Sequence, residues 1–252
     1  DNGMICASEQ AVIIDKEIYD EVVSEFKKLG TYIVNKNEKK KLETYMFGVN
    51  AETDLTKVKL NSNVVGKEAS YIATEAGISA PKNVTILGVE CEKVGVNEPL
   101  TREKLSPVLA FLKADSLEDG FKKSSEMVEF YGLGHSAAIH TENKQVADEY
   151  GKIVKAIRII WNSPATFGGI GNVYNSFLPS LTLGCGSYGG NSVGGNVSAI
   201  NLLNIKKIGK RRNNMQWFKV PSKIYFERNS IQYLQDIKDI KRVFIVTDRT
   251  ML

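Results

Sequence analysis

Cysteine and histidine are the scarce reactive side chains of this 252-residue chain, three of the first and two of the second, so each position can be weighed singly. Cys6 stands in Asn2-Gly-Met-Ile-Cys-Ala-Ser-Glu-Gln10, between an Asn-Gly turn and the first strand-like run. A free thiol has a reference pKa of about 8.5 and is mostly protonated near neutrality. A turn leading into a short helix lowers that value by aiming backbone N–H groups at the sulfur. Equally, free cysteine often serves as a small buried hydrophobe. His135 lies in Tyr131-Gly-Leu-Gly-His-Ser136, a glycine-flanked turn of the kind that displays catalytic side chains, and His140 closes the strand that follows. An imidazole that takes the thiol proton would complete a nucleophilic Cys–His pair. Two ordinary packing or surface histidines fit the residues as well. No metal-ligand spacing joins these side chains, so no metal site is expected.

Other candidates reduce to plainer readings. Gly184-Cys-Gly-Ser-Tyr-Gly189 matches G-x-G-x-x-G as a string. It is followed by more glycine instead of a helix, and no acid stands about 20 residues on, so a flexible loop with a structural Cys185 is expected. Glu103, in Thr101-Arg-Glu-Lys-Leu-Ser-Pro-Val108, reads by itself as a surface acid before a strand. The basic run Ile205 to Arg212, with Trp217 nearby, reads as a solvated linker. Thirty-three basic against 29 acidic residues leave a net charge of +4, too small to imply a nucleic-acid or membrane partner. Cys6, Cys91 and Cys185 are an odd, scattered set that gives no disulfide framework, which points to a reducing, cytoplasmic compartment. No apolar run approaches the roughly 18 residues of a membrane span, and no signal peptide is visible. The first residue is Asp, and a piece of a longer chain is expected.

Positioning these groups calls for an α/β domain with a mostly parallel sheet flanked by helices. Ala11 to Asp15 reads as a buried strand, and Ile18, Tyr19, Val22, Val23 and Phe26 recur at helical spacing up to a Gly30 cap. Helices are expected over Lys67 to Ala76, Ser116 to Phe130 and Lys144 to Val154, with Ser116 as N-cap and Glu118 and Asp119 in the first turn. Strands are expected over Val84 to Val89, Val108 to Ala114, Ala137 to His140 and Ile157 to Trp161. Residues 162–196, rich in Gly, Ser and Asn, show no sustained period, and an irregular stretch of that length is usually functional. Lys223 to Ser230 suggests a strand or hairpin, and Arg242 to Asp248 the first strand of another α/β unit. The division expected is 1–204 for the lobe, 205–240 for a linker and hairpin, and 241–252 for the start of a second domain.

Taken in order, these segments resemble one family. Asp1 to Gln10 resembles the nucleophile segment of acylating aldehyde dehydrogenases, and Glu103-Lys-Leu-Ser-Pro-Val108 is similar to the E-x-F-G-P-V element of that superfamily. Gly132-Leu-Gly-His-Ser136, and Asn162-Ser-Pro-Ala165 through Gly168-Gly-Ile-Gly171, look like the acylating branch. Ser180 to Ser192 resembles the end of that domain. Lys223 to Arg228 and Ile245-Val-Thr-Asp-Arg249 resemble the linker and first strand that lead into an iron-dependent alcohol dehydrogenase. The collinear set covers nearly the whole chain and points to the bifunctional aldehyde–alcohol dehydrogenases.

The resemblance implies an aldehyde dehydrogenase catalytic lobe that acts on acetyl-CoA and acetaldehyde with NAD, coenzyme A being co-substrate and iron belonging only to the alcohol dehydrogenase domain. Cys6 would form the thioester, and His135 would assist the thiol chemistry. Glu103 would hold the nicotinamide ribose and Leu183 would line the cofactor site. Asp248 matches an NAD-contacting aspartate of the second domain. It further implies a homo-oligomer, with Lys223 to Arg228 pairing strands between subunits of a helical filament. A monofunctional acylating enzyme and a non-catalytic assembly module are the alternatives. The Ile-Val-Thr-Asp tail speaks against the first.

Overall fold

The structure, a computed structural model, describes residues 2–210, 232 and 233. By its contacts the chain divides into Asp1–Leu203 and Asn204–Leu252, and the secondary structure that follows belongs to the first unit. Lys223 to Arg228, the strand expected from Arg242 and Asp248 lie outside the described residues.

Val108-Leu-Ala-Phe-Leu-Lys-Ala114 decides the architecture. Six of its seven residues are buried, which is what a strand covered on both faces requires. Numbered in chain order, it is β4. It pairs in parallel with β1 (Ala11–Asp15) and β3 (Ile86–Glu90), and β2 (Thr31–Ile33) completes the order β1-β4-β3-β2. Successive side chains point to opposite faces. Val108, Ala110 and Leu112 join one core, with Leu42, Met46 and Phe47 of α2 (Lys36–Phe47) and Ile72 of α3 (Ala69–Glu75). Leu109 and Phe111 join the other, with Tyr19 and Val23 of α1 (Tyr19–Lys28). The result is the α/β fold of a parallel sheet with helices on both faces.

A second pair of parallel strands, β5 (Gly134–Ile139) and β6 (Ala156–Trp161), places Ser136 opposite Arg158. Phe121 and Val128 of α4 (Leu117–Tyr131) and Tyr150 of α5 (Lys144–Ile153) build a third core beside it. Ser116 caps α4 by accepting from Asp119 N at 3.2 Å, as its sequence implies.

Two helices depart from the sequence expectation. α2 is mostly polar, Lys-Asn-Glu-Lys-Lys-Lys in its first half, and shows little apolar period; a capping box between Asn35 and Glu38 starts it and Gly48 ends it. α6 (Ala165–Ile170) interrupts the stretch expected to be irregular. Its Ala-Thr-Phe-Gly-Gly-Ile sequence has no period to read. Tertiary contact holds it: Ala165 N donates to Glu9 Oε1 at 2.7 Å, and Gly168 lies directly on Ile160 of β6. Among the described residues no helix is long and apolar enough to cross a membrane.

A Cβ at Gly168 would overlap Ile160 Cγ2 and stand 3.1 Å from its Cδ1. Gly168→Ala is therefore expected to cost about 1–3 kcal/mol through overpacking. In urea denaturation, combination with Ile160→Ala should cost less than the sum of the single changes. Strict additivity would show that the contact does not hold α6.

Candidate active-site cleft

Cys6 is exposed, in a turn closed by Ser8 N donating to Ile5 O at 2.8 Å. The chain passes from this turn into β1 with no helix between them. The reason lies in the neighbours. Ala7 is buried beside Gly169 of α6, and Glu9 caps α6. The backbone N–H groups that orient on this loop belong to a turn and to α6, not to a helix of its own. The buried-hydrophobe reading of Cys6 fails, since the thiol faces out.

The loop is tied down on the other side by the segment that carries Glu103. Gly3, at φ +70, approaches Ser106 so closely that a Cβ would stand 2.7 Å from its carbonyl oxygen. Asn2 Nδ2 donates to Gly66 O at 3.0 Å, and Gly66 N donates to Leu105 O. Gln10 Oε1 accepts from Lys104 N at 2.8 Å while Gln10 Nε2 donates to Ser8 O at 3.0 Å. Lys104 itself is 0% exposed. Its ammonium donates to the carbonyls of Gln10, Leu100 and Arg102 at 2.8–2.9 Å. Three donors meet three acceptors. Burial lowers its pKa to about 7, with Cys91 and Glu103 acting in the opposite direction.

Glu103 is half-buried and makes no hydrogen bond or ion pair among the described residues. Burial raises its carboxyl above the usual range, and Lys104 partly offsets that. His135 opens β5, and its Nδ1 lies 3.1 Å from Ser136 Oγ. Burial first, and the charge of Arg158 second, push the imidazole below its ordinary value. Gly134, at φ +84, lies against the carbonyl of Cys185, where a Cβ would collide. The glycine loop set aside as a nucleotide fingerprint is thus docked on the histidine turn.

One cleft of about 1250 Å³ is lined by Cys6, Glu103, His135 and Cys185, together with Ser136 and Thr166. The structure therefore brings together three of the five residues singled out from sequence. Leu183 is half-buried beside Gly169 and is not among the residues that line the cleft, and Asp248 is not among the described residues. Cys91 is buried in the core, where desolvation pushes its thiol up to about 12. Among the described residues no cluster of His, Cys, Asp or Glu has the makings of a metal site.

The chain is 67% identical, over its whole length, to an aldehyde-alcohol dehydrogenase of Streptococcus pneumoniae. By sequence it belongs to the aldehyde-alcohol dehydrogenase family. It is 57% identical, again along its full length, to aldehyde-alcohol dehydrogenase 2 of Entamoeba histolytica, and it spans 29% of the length of each of these relatives. Among solved structures, an acetylating aldehyde dehydrogenase of Geobacillus thermoglucosidasius matches at a TM-score of 0.75 and 38% identity, over 86% of this chain and 46% of that one. No protein-family model matches.

Lys104 and Arg158 are the site residues that sequence reasoning passed over. Lys104 sat inside a quoted motif, but nothing in its neighbours signals total burial. Arg158 did leave a trace: in Ala156-Ile-Arg-Ile-Ile-Trp161 it falls in phase with the buried Ala156 and Ile160.

The state of Lys104 can be read from stability. Between about pH 7 and the unfolded lysine value of about 10.4, the unfolded chain binds more protons than the folded one. Stability should rise with pH across that window, with a limiting slope of about 1.4 kcal/mol per pH unit, and the burial penalty should be fully present below it. Urea denaturation of the wild type minus Lys104→Met should show this climb. Parallel curves would place the Lys104 ammonium in a solvated setting.

Proposed function

We propose that this chain is the nucleophile-bearing part of a CoA-acylating acetaldehyde dehydrogenase, joined in a bifunctional enzyme to an alcohol dehydrogenase that carries the product on to ethanol. The observation that supports it most is the meeting of an exposed Cys6, a half-buried Glu103 and a half-buried His135 around one cleft. Cys6 Sγ attacks the thioester carbonyl of acetyl-CoA. A tetrahedral adduct forms, the carbon–sulfur bond to CoA breaks, and the acetyl group remains on Cys6 as a thioester. The new thioester is as reactive as the old, so the transfer is nearly balanced in either direction. His135 takes the Cys6 thiol proton as the sulfur attacks, gives it to the departing CoA sulfur, and reverses both transfers in the other direction.

Glu103 fits the part of cofactor ligand, because a half-buried carboxylate that has no partner among the described residues accepts readily from ribose hydroxyls. NAD, when bound, exchanges the hydride that separates the acyl and aldehyde levels. Leu183 is assigned to the cofactor site through the resemblance of its segment, and it packs beside Gly169 of α6 near Ala7. Asp248 is assigned to NAD contact in the alcohol dehydrogenase portion, which would also hold the iron. The division 1–204, 205–240 and 241–252 goes with this reading, as does a cytoplasmic homo-oligomer whose filament contacts use Lys223 to Arg228.

Iodoacetamide labelling with peptide mass spectrometry should modify Cys6 well before Cys91. In the full-length protein, Cys6→Ser is expected to lower acyl transfer to CoA roughly a thousandfold or more. Retained transfer in that variant, or equally slow labelling of all three cysteines, favours the assembly-module reading.

A further inference from the structure

Arg158 is buried at 8% exposure on β6, and among the described residues no carboxylate pairs with it. Each of its three guanidinium nitrogens nonetheless donates a hydrogen bond. Nε donates to Ser136 Oγ at 3.1 Å, Nη1 to Gly194 O at 2.9 Å, and Nη2 to Gly184 O. A guanidinium can only donate, so the Ser136 hydroxyl must accept from it. The same hydroxyl lies 3.1 Å from His135 Nδ1. One side chain thus grips the strand that carries the imidazole and both ends of the glycine loop that closes over it.

We propose that Arg158 is the positioning residue of the acyl-transfer site: through Ser136 it fixes the His135 ring and presents it to the cleft as a neutral proton acceptor. The inference rests on the reading that His135 handles the CoA thiol proton. Nδ1–H donates to Ser136 Oγ, whose other lone pair takes Arg158 Nε. Nε2 is left to accept the CoA thiol proton, while the electron pair stays on sulfur and attacks the Cys6 thioester carbonyl; the acyl carbon–Cys6 Sγ bond then breaks and Nε2 returns the proton to Cys6 Sγ. A fixed positive charge nearby disfavours a second proton on the ring. The other titratable groups around this cleft are Cys6, Glu9, Asp15, Glu103, Tyr131, His140, Tyr150 and Cys185, and of the charges it is Arg158 that acts on His135. An arginine serves here because it cannot shed its charge and because its planar fork reaches the hydroxyl and two carbonyls at once.

The test is carbethoxylation of His135 by diethyl pyrocarbonate in the full-length protein, followed across pH by peptide mass spectrometry. The reagent attacks the neutral ring, so the midpoint of the labelling rate reports its protonation. The wild type should give a midpoint below about 6.5, the ordinary imidazole value. Arg158→Gln should move it up toward that value, and Arg158→Lys should hold it down. The acid limb of acyl transfer to CoA should move with it, since activity is lost as pH falls through the imidazole pKa. An unchanged midpoint in Arg158→Gln overturns the proposal. If that variant loses its cooperative melt, a wild-type midpoint at or above about 6.5 overturns it instead. A labelling shift without any shift in acyl transfer leaves Arg158's hold on the ring standing and removes His135 from the proposed reaction.

Discussion

A lysine ammonium sealed from water has to find three acceptors or lose its proton, and Lys104 finds them in three backbone carbonyls. Those carbonyls belong to two stretches of chain, the end of the cysteine loop and the segment leading to Glu103 and β4. The charge thus adds to the ties that Gln10 and Gly3 already make between them. An apolar residue at 104 would take the donor from the Leu100 and Arg102 carbonyls, each at the cost of an unsatisfied buried group, while Gln10 O would keep Ala110 N. The arrangement trades stability near neutral pH for a fixed geometry at the mouth of the cleft.

The opposite wall follows a similar logic with a different cation. Arg158 replaces the missing regular structure of residues 184–194 by holding two of its carbonyls. Glycines at 134, 186 and 189 let that loop approach the histidine turn and β6 at distances no Cβ would permit. Glycine at 3 does the same for the cysteine loop against Ser106. The site is thus assembled from irregular backbone docked on a rigid parallel sheet, the usual division between scaffold and function.

The scaffold was largely legible because its signals are local. β4 is an unbroken apolar run, and α1, α4 and α5 carry helical periods with recognisable ends. α6 was not legible, because six residues with two glycines have no period, and the helix is held by tertiary contacts such as those of Glu9 and Ile160. α2 escaped because its lysine-rich first half hides the three buried residues that anchor it. At the site, Cys6, Glu103 and His135 stood out through their motifs. The two cations that position them did not, since a buried charge declares itself only when its acceptors, far apart in sequence, are seen around it.

The central claim is that the Cys6 sulfur carries the acyl group. Incubation of the full-length protein with acetyl-CoA in the absence of reduced nicotinamide cofactor, followed by acid quench and peptide mass spectrometry, tests it directly. The account predicts one acetyl group on the peptide containing Cys6, removed by hydroxylamine as a thioester must be. Acetyl groups found on Cys185, or on no cysteine at all, would contradict it.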